Sequence, residues 1–255
     1  MAKLAIPPFL LGVQSVPERI PKNPEFPFSL PFVPDLDLHF RHPVTFLVGE
    51  NGTGKSTFLE AVAALCGFPV SGGSWMERDT SIGPENDSAL SFALRPSFRK
   101  RPPDGFFLRA EFQAFFASML DDRDRDPEFR GDPFARYGGQ SLHQQSHGEA
   151  FLAILQNRFD QGLWLLDEPE SALSPQRQLA LLSEMHRLAE GGNTQFIIAT
   201  HSPILLTYPE SEIVSFDDSR LPIVAIEETS HFQITRGILQ NPDNYWHHLL
   251  SGEPE

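Results

Sequence analysis

Apolar residues along this chain fall into short, dense runs separated by stretches rich in Pro, Gly, Ser and charge. Leu36-Asp37-Leu38-His39-Phe40 alternates apolar and polar positions, the pattern of a half-buried strand. Val44-Thr45-Phe46-Leu47-Val48, Leu163–Leu166 and Phe196–Ala199 are almost wholly apolar. They predict strands buried on both faces, as in a parallel sheet. Glu212–Phe216 and Ile223–Ile226 predict later strands, and Ala89–Leu94 another. Lys55–Cys66 has the spacing of a helix, with Phe58, Leu59, Val62, Ala63 and Leu65 on one broad face. Phe106–Leu120 predicts a packed helix, Gly148–Phe159 a second, and Pro175–Ala189 a third with Pro in its first turn.

Between these elements, residues 68–88 read as loop, and 121–145, a mixture of acidic, basic and Gly residues, as an exposed mobile linker. The run Asp121–Asp126 reads as solvated loop. Residues 1–34 hold eight prolines, which favour extended edges and turns over helix. Strands alternating with helices give an α/β fold with a mainly parallel sheet. An antiparallel β element at the N-terminal end precedes it. The whole chain, 1–255, is expected to form a single domain, with 68–150 making a smaller helical lobe. No internal repeat or heptad run is present.

Composition narrows the class. The 255 residues carry a formal net charge of −14, which argues against a broad basic face for nucleic acid. The densest basic cluster, Arg95, Arg99, Lys100 and Arg101, reads as a solvated loop. A single cysteine, Cys66, excludes an internal disulfide and reads as a small buried hydrophobe. No run approaches the roughly 18 apolar residues of a membrane span, and no signal-peptide pattern opens the chain. A soluble, cytoplasmic protein is expected, without direct membrane insertion.

Three motifs carry chemistry. Gly49-Glu50-Asn51-Gly52-Thr53-Gly54-Lys55-Ser56-Thr57 follows an apolar strand and opens a helix. In such a loop the glycines let the backbone wrap a phosphate chain, and the amides from Gly52 to Ser56 point inward. Lys55 is placed for the β- and γ-phosphates, Ser56 for Mg²⁺ and Thr57 for the α-phosphate. Asp167 closes an apolar strand, where ligands gather in open α/β sheets, and is assigned to the metal through water. Glu168 is the candidate base for the attacking water. His201, directly after another apolar strand, reaches the same edge and is placed to sense the γ-phosphate. Together these residues describe a nucleoside triphosphatase.

The motifs resemble those of ATP-binding cassette (ABC) ATPases. The phosphate loop resembles the Walker A motif, Leu165-Leu166-Asp167-Glu168-Pro169 the Walker B motif and Ser171-Ala172-Leu173-Ser174 the D-loop. Ala199-Thr200-His201-Ser202 resembles the switch-histidine loop, with His201 lying 34 residues after Asp167. Gln145-Ser146-His147-Gly148-Glu149 resembles a diverged signature motif, matching at Ser146 and Gly148. The resemblance covers residues 36–217 and is greatest to the stand-alone ATPases near the RecF and SMC branch. It implies ATP as substrate, Mg²⁺ as cofactor, and a head-to-tail homodimer with ATP between the copies. Ser146 would then touch the ATP held by the other copy's Lys55. His147 at that interface would link its charge to the γ-phosphate. DNA maintenance or defence, with an unidentified protein partner, is the implied setting. A transporter's nucleotide-binding subunit and a nucleotide-gated scaffold with little turnover are the alternatives. A small-molecule P-loop kinase would not explain the signature-like segment.

The chain also departs from the family. Gln113 falls inside the apolar stretch 106–120, so the Q-loop role is left unassigned. Ser174 stands where the D-loop usually has Asp. The aromatic residue for adenine is left open among Phe26, Phe28, Phe32 and Phe40. Adjacent His247 and His248 point apart on any regular element, a poor metal geometry, while Tyr245 and Trp246 are expected to anchor the last helix.

Overall fold

The computed structural model describes residues 9–74, 88–109, 113–158 and 161–251. Five parallel strands form the central sheet, in the order β5-β6-β7-β3-β8. They are β3 (Val44–Val48), β5 (Gly105–Arg109), β6 (Gly162–Asp167), β7 (Thr194–Ala199) and β8 (Glu212–Ser215). Every residue of β3, β6, β7 and β8 is buried, so both faces are covered and no side chain alternates outward. A second, antiparallel sheet has the order β2-β1-β4, from β1 (Leu10–Ser15), β2 (Asp37–His39) and β4 (Leu94–Phe98).

Alternate residues of the parallel sheet enter two apolar cores. Phe46, Phe106, Trp164, Phe196 and Ile198 face one side. There they pack under α3 (Gln113–Arg125), α4 (His147–Arg158) and α5 (Pro175–Glu190) through Phe116, Leu120, Phe151, Ile154, Leu181 and Met185. Leu47, Phe107, Leu165 and Ile197 face the other side, against α1 (Lys55–Cys66) and the antiparallel sheet. A side chain ties the two sheets together. Gln195 of β7 is fully buried, its Oε1 accepts from the Leu10 amide at 2.9 Å, and its Nε2 donates to the Leu10 carbonyl at 2.8 Å.

Several expectations change. Gly105–Arg109 is a strand, not the start of a helix, and pairs in parallel with β6. An apolar aromatic run of this kind suits a buried strand and a buried helix equally, and periodicity alone does not separate them. The helix begins later and runs to Arg125, through charged residues expected to be loop. Those residues form its solvent face, where Arg125 pairs with Asp122 one turn away. Residues Ala89–Phe92 form one helical turn, α2, and the strand follows it as β4. Ile223 makes only an isolated bridge to Val214. The segment 68–150 thus contributes one strand to each sheet, besides α3 and the start of α4. Part of the loop expected over 68–88 lies outside the described residues.

Beyond β8 the chain ends in α6 (Ser230–Gln240) and α7 (Pro242–Ser251). Trp246 is 57% exposed and does not anchor this end. Tyr245 does pack: a Cβ at Gly237 would meet its hydroxyl at 2.2 Å, so α6 and α7 meet over a glycine. Among the described residues, no helix is long and apolar enough to cross a membrane.

Candidate functional site

The parallel register brings the motif residues to one sheet edge. Leu47 of β3 and Asp167 of β6 both pair with Ala199 of β7, so the three strands end level. The phosphate loop leaves β3, Asp167 and Glu168 leave β6, and His201 leaves β7. The loop's turn relies on glycines at positive φ, and Gly54 (φ 97°) also faces Leu30 and Phe32, which a Cβ would meet at 2.9 Å. Asp217, just past β8, holds the loop from outside by accepting the Glu50 amide at 2.7 Å. The Thr53 hydroxyl closes it on the Glu50 carbonyl at 2.9 Å. Asn51 and Gly52 are exposed at the tip, while Ser56 and Thr57 are half-buried in the first turn of α1, where helix amides have no internal partner.

Lys55 is buried, and its ammonium donates to the carbonyls of Gly49 at 2.6 Å and Glu50 at 2.9 Å. Burial pulls its pKa below the ordinary lysine value, opposed by the carboxylates of Glu168, Asp217, Asp167 and Glu50. The Ser56 hydroxyl donates to Asp167 Oδ1 at 3.0 Å, which sets the two assigned metal groups side by side. A hydroxyl and a carboxylate oxygen form the hard-oxygen set that Mg²⁺ takes, so the residues fit this cation.

Glu168 stands in the left-handed region at φ 47°, an uncommon conformation for a non-glycine residue and one found at functional sites. Its backbone amide donates a hydrogen bond to the Ala199 carbonyl (2.9 Å), and the Ser171 hydroxyl donates to the Glu168 carbonyl (2.8 Å). The side chain lies with Oε1 3.5 Å from His201 Nε2. That nitrogen is buried and has no hydrogen-bond partner. Burial first, then the charges of Lys55 and His231, hold the His201 pKa below the usual imidazole value, with Glu168 and Glu50 opposing. His201 is therefore neutral at pH 7.

Four residues in contact with the candidate site escaped the sequence reading. Glu170 Oε1 accepts the His201 amide at 2.5 Å, and burial raises this carboxyl's pKa. Arg109 ends β5 opposite Asp167 in register, with Nε 3.3 Å from Asp167 Oδ2 and a terminal nitrogen 2.6 Å from Glu60 Oε1. A strand reading of 105–109 would have placed Arg109 at this edge. Asp217 and His231 lie outside every motif and left no signal.

Ser146 and Gly148 sit at the start of α4. The Ser146 hydroxyl donates to Glu149 Oε2 at 2.6 Å and accepts from Arg177 at 2.8 Å, while Arg177 also pairs with Glu149 Oε1 at 3.0 Å. A Cβ at Gly148 would meet an Arg177 nitrogen at 2.5 Å, so glycine lets the guanidinium lie across the helix start. Within one chain, these bonds join the signature-like segment to α5. Of the four phenylalanines, Phe32 and Phe40 are committed to the core, and Phe26 is 70% exposed. The side chain of Gln113 lies outside the described residues.

Two family models match parts of the chain. Residues 146–207 match "AAA domain, putative AbiEii toxin, Type IV TA system", and residues 30–101 match an "AAA domain" model. The hemin import ATP-binding protein HmuV of Idiomarina loihiensis is 28% identical over 192 residues, covering 68% of this chain and 71% of that protein. Among solved structures, cbiO1 of Clostridium perfringens, part of the ABC transporter complex cbiONQ, is 16% identical with a TM-score of 0.46. That match covers 95% of this chain and 99% of cbiO1. UvrA2 of Deinococcus radiodurans is 13% identical with a TM-score of 0.48, covering 91% of this chain and 40% of UvrA2. The strand–loop–helix around Lys55, the level ends of β3, β6 and β7, and the two family matches support a P-loop ATPase with an ABC-type fold.

Proposed function

We propose that this protein binds ATP with Mg²⁺ and hydrolyses it as an ABC-type ATPase, closing head to tail with a second copy over two nucleotides. The observation that carries this reading is the convergence of Lys55, the Ser56–Asp167 pair, Glu168 and His201 on one sheet edge. There the buried His201 Nε2 lacks a hydrogen-bond partner and faces the Glu168 carboxylate. Gly49, Asn51, Gly52, Thr53 and Gly54 wrap the phosphates, Lys55 neutralises the β- and γ-groups, and Thr57 holds the α-group. Ser56 and Asp167 would hold Mg²⁺, which would supply charge neutralisation on the phosphate oxygens when bound. Glu168 accepts a proton from the attacking water, and His201 donates from Nε2 to the terminal phosphate.

Ser146 and Gly148 belong to the other copy's nucleotide site in this reading. The amide end of α4 is a phosphate-binding element, and Glu149 caps it within the single chain. The whole chain acts as one ATPase domain, and the segment 68–150, whose strands belong to both sheets, carries the signature-like segment. The cycle serves DNA maintenance or defence in the cytoplasm, delivered to a protein partner. The toxin–antitoxin description of the model matched over 146–207 supports the defence setting.

Light scattering of Glu168→Gln protein tests the reading. ATP and Mg²⁺ should shift it from monomer to dimer, and Ser146→Arg should abolish the shift. A mass unchanged by ATP, despite measured binding, would sink the dimer mechanism. The relative named as an import ATP-binding protein favours a second reading, a transporter's nucleotide-binding subunit. Co-purification with a membrane protein would select it.

A further inference from the structure

The phosphate-sensing imidazole is held by an element outside every motif. Thr229, 5% exposed, caps α6: its hydroxyl donates to the Ile226 carbonyl at 2.7 Å and accepts the Phe232 amide at 3.4 Å. The capped first turn of α6 carries His231 to the site. His231 Nε2 lies 2.7 Å from His201 Nδ1, with the ring centroids 4.7 Å apart and the planes at 62°.

A hydrogen bond between two imidazoles holds one proton between the facing nitrogens, and its position fixes what the far nitrogen of His201 can do. If His201 donated from Nδ1, its Nε2 would present a lone pair to the Glu168 carboxylate 3.5 Å away, an unfavourable pairing of two acceptors. If His231 donates from Nε2, His201 keeps its proton on Nε2 and presents a donor both to Glu168 and to a terminal phosphate. The second arrangement turns a donor rather than a lone pair toward the Glu168 carboxylate.

We propose that His231 is a positioning residue: it donates from Nε2 to His201 Nδ1 and so fixes the ring orientation and the Nε2–H tautomer with which His201 meets the γ-phosphate. This rests on the ATPase reading above and adds to it a control element from the C-terminal helices. It also makes the ring's placement depend on where the start of α6 sits, since Glu170 holds His201 through its backbone amide rather than its ring.

The test is steady-state ATP turnover with Mg²⁺ for the unaltered protein, His231→Phe, His231→Gln, His201→Gln and the double variant His231→Phe/His201→Gln, with melting temperatures alongside. His231→Phe should lower kcat about tenfold or more while KM moves less than about twofold, the pattern of an interaction made in the transition state. His231→Gln, whose amide can donate to Nδ1, should restore most of the rate. In the His201→Gln background, His231→Phe should have no further effect, because the residue acts only through His201. An unchanged kcat in His231→Phe would overturn the inference alone. So would an equal loss in both backgrounds, or a loss shared by His231→Gln that tracks a fall in melting temperature. Absence of turnover in the unaltered protein would overturn the ATPase reading and this inference with it.

Discussion

Arg109 and Asp167 face each other across the β5–β6 pair, with Arg109 Nε 3.3 Å from Asp167 Oδ2, while Ser56 occupies the other carboxylate oxygen. The arginine therefore fixes the rotation of the carboxylate assigned to the metal. It is mostly buried and also neutralises Glu60. Arg109→Ala would leave two carboxylates near one another without their cation. A loss of about 3 kcal/mol is expected in urea unfolding, because breaking a buried pair strands its remaining charge. Unchanged stability would show that solvent already screens both acids.

Glu170 behaves in the opposite sense to most carboxylates. Its folded pKa is raised, chiefly by burial. Between the unfolded value of about 4.5 and the folded one, the unfolded chain loses its proton first, so stability falls as pH rises through that window. Glu170→Gln keeps an acceptor for the His201 amide and removes the charge. It should raise the melting temperature at pH 7.5 and change little at pH 4.5. A lower melting temperature at pH 7.5 would mean that the ionised form is needed.

His201 gives a window nearer neutrality. Its folded pKa lies below the ordinary 6.5, with burial the main cause. As pH falls below 6.5 the unfolded chain takes up this proton first, so stability is lost on acidification and is fully present above 6.5. His201→Gln should shrink the fall in urea midpoint between pH 7.5 and 5.5. An equal fall in both proteins would assign the effect to other groups.

Gln178 joins the two loops that flank Glu168. It is buried, its Oε1 accepts from the Ser202 hydroxyl, and its Nε2 donates to the Leu173 carbonyl at 3.0 Å. Gln178→Leu would leave both groups without this partner in an apolar setting. The expected cost is about 2–4 kcal/mol, read by chemical denaturation. A loss under about 0.5 kcal/mol would show that water replaces the amide.

The apolar runs over 44–48, 163–166 and 196–199 made most of the parallel sheet legible, because strands buried on both faces need no polar residue. The phosphate loop was legible because its glycines and Lys55 sit at fixed offsets. Phe106–Leu120 was misread, since an apolar run carries no period, and Arg109 was missed with it. His231 and Asp217 left no trace. Each reaches the site through a loop path that local sequence does not encode, and only the sheet order brings β8 and the start of α6 beside β3 and β7.

The paired bonds between Gln195 and Leu10 have a consequence for the order in which the molecule assembles. The two residues are 185 positions apart, so the first strand waits for a side chain encoded in the last third of the chain. During synthesis β1 can pair with β2 early, but its lock onto the parallel sheet has to follow the emergence of β7. Such distant closure slows folding. The tie between the two sheets is thus a late bond in the assembly, made only once β7 is in place.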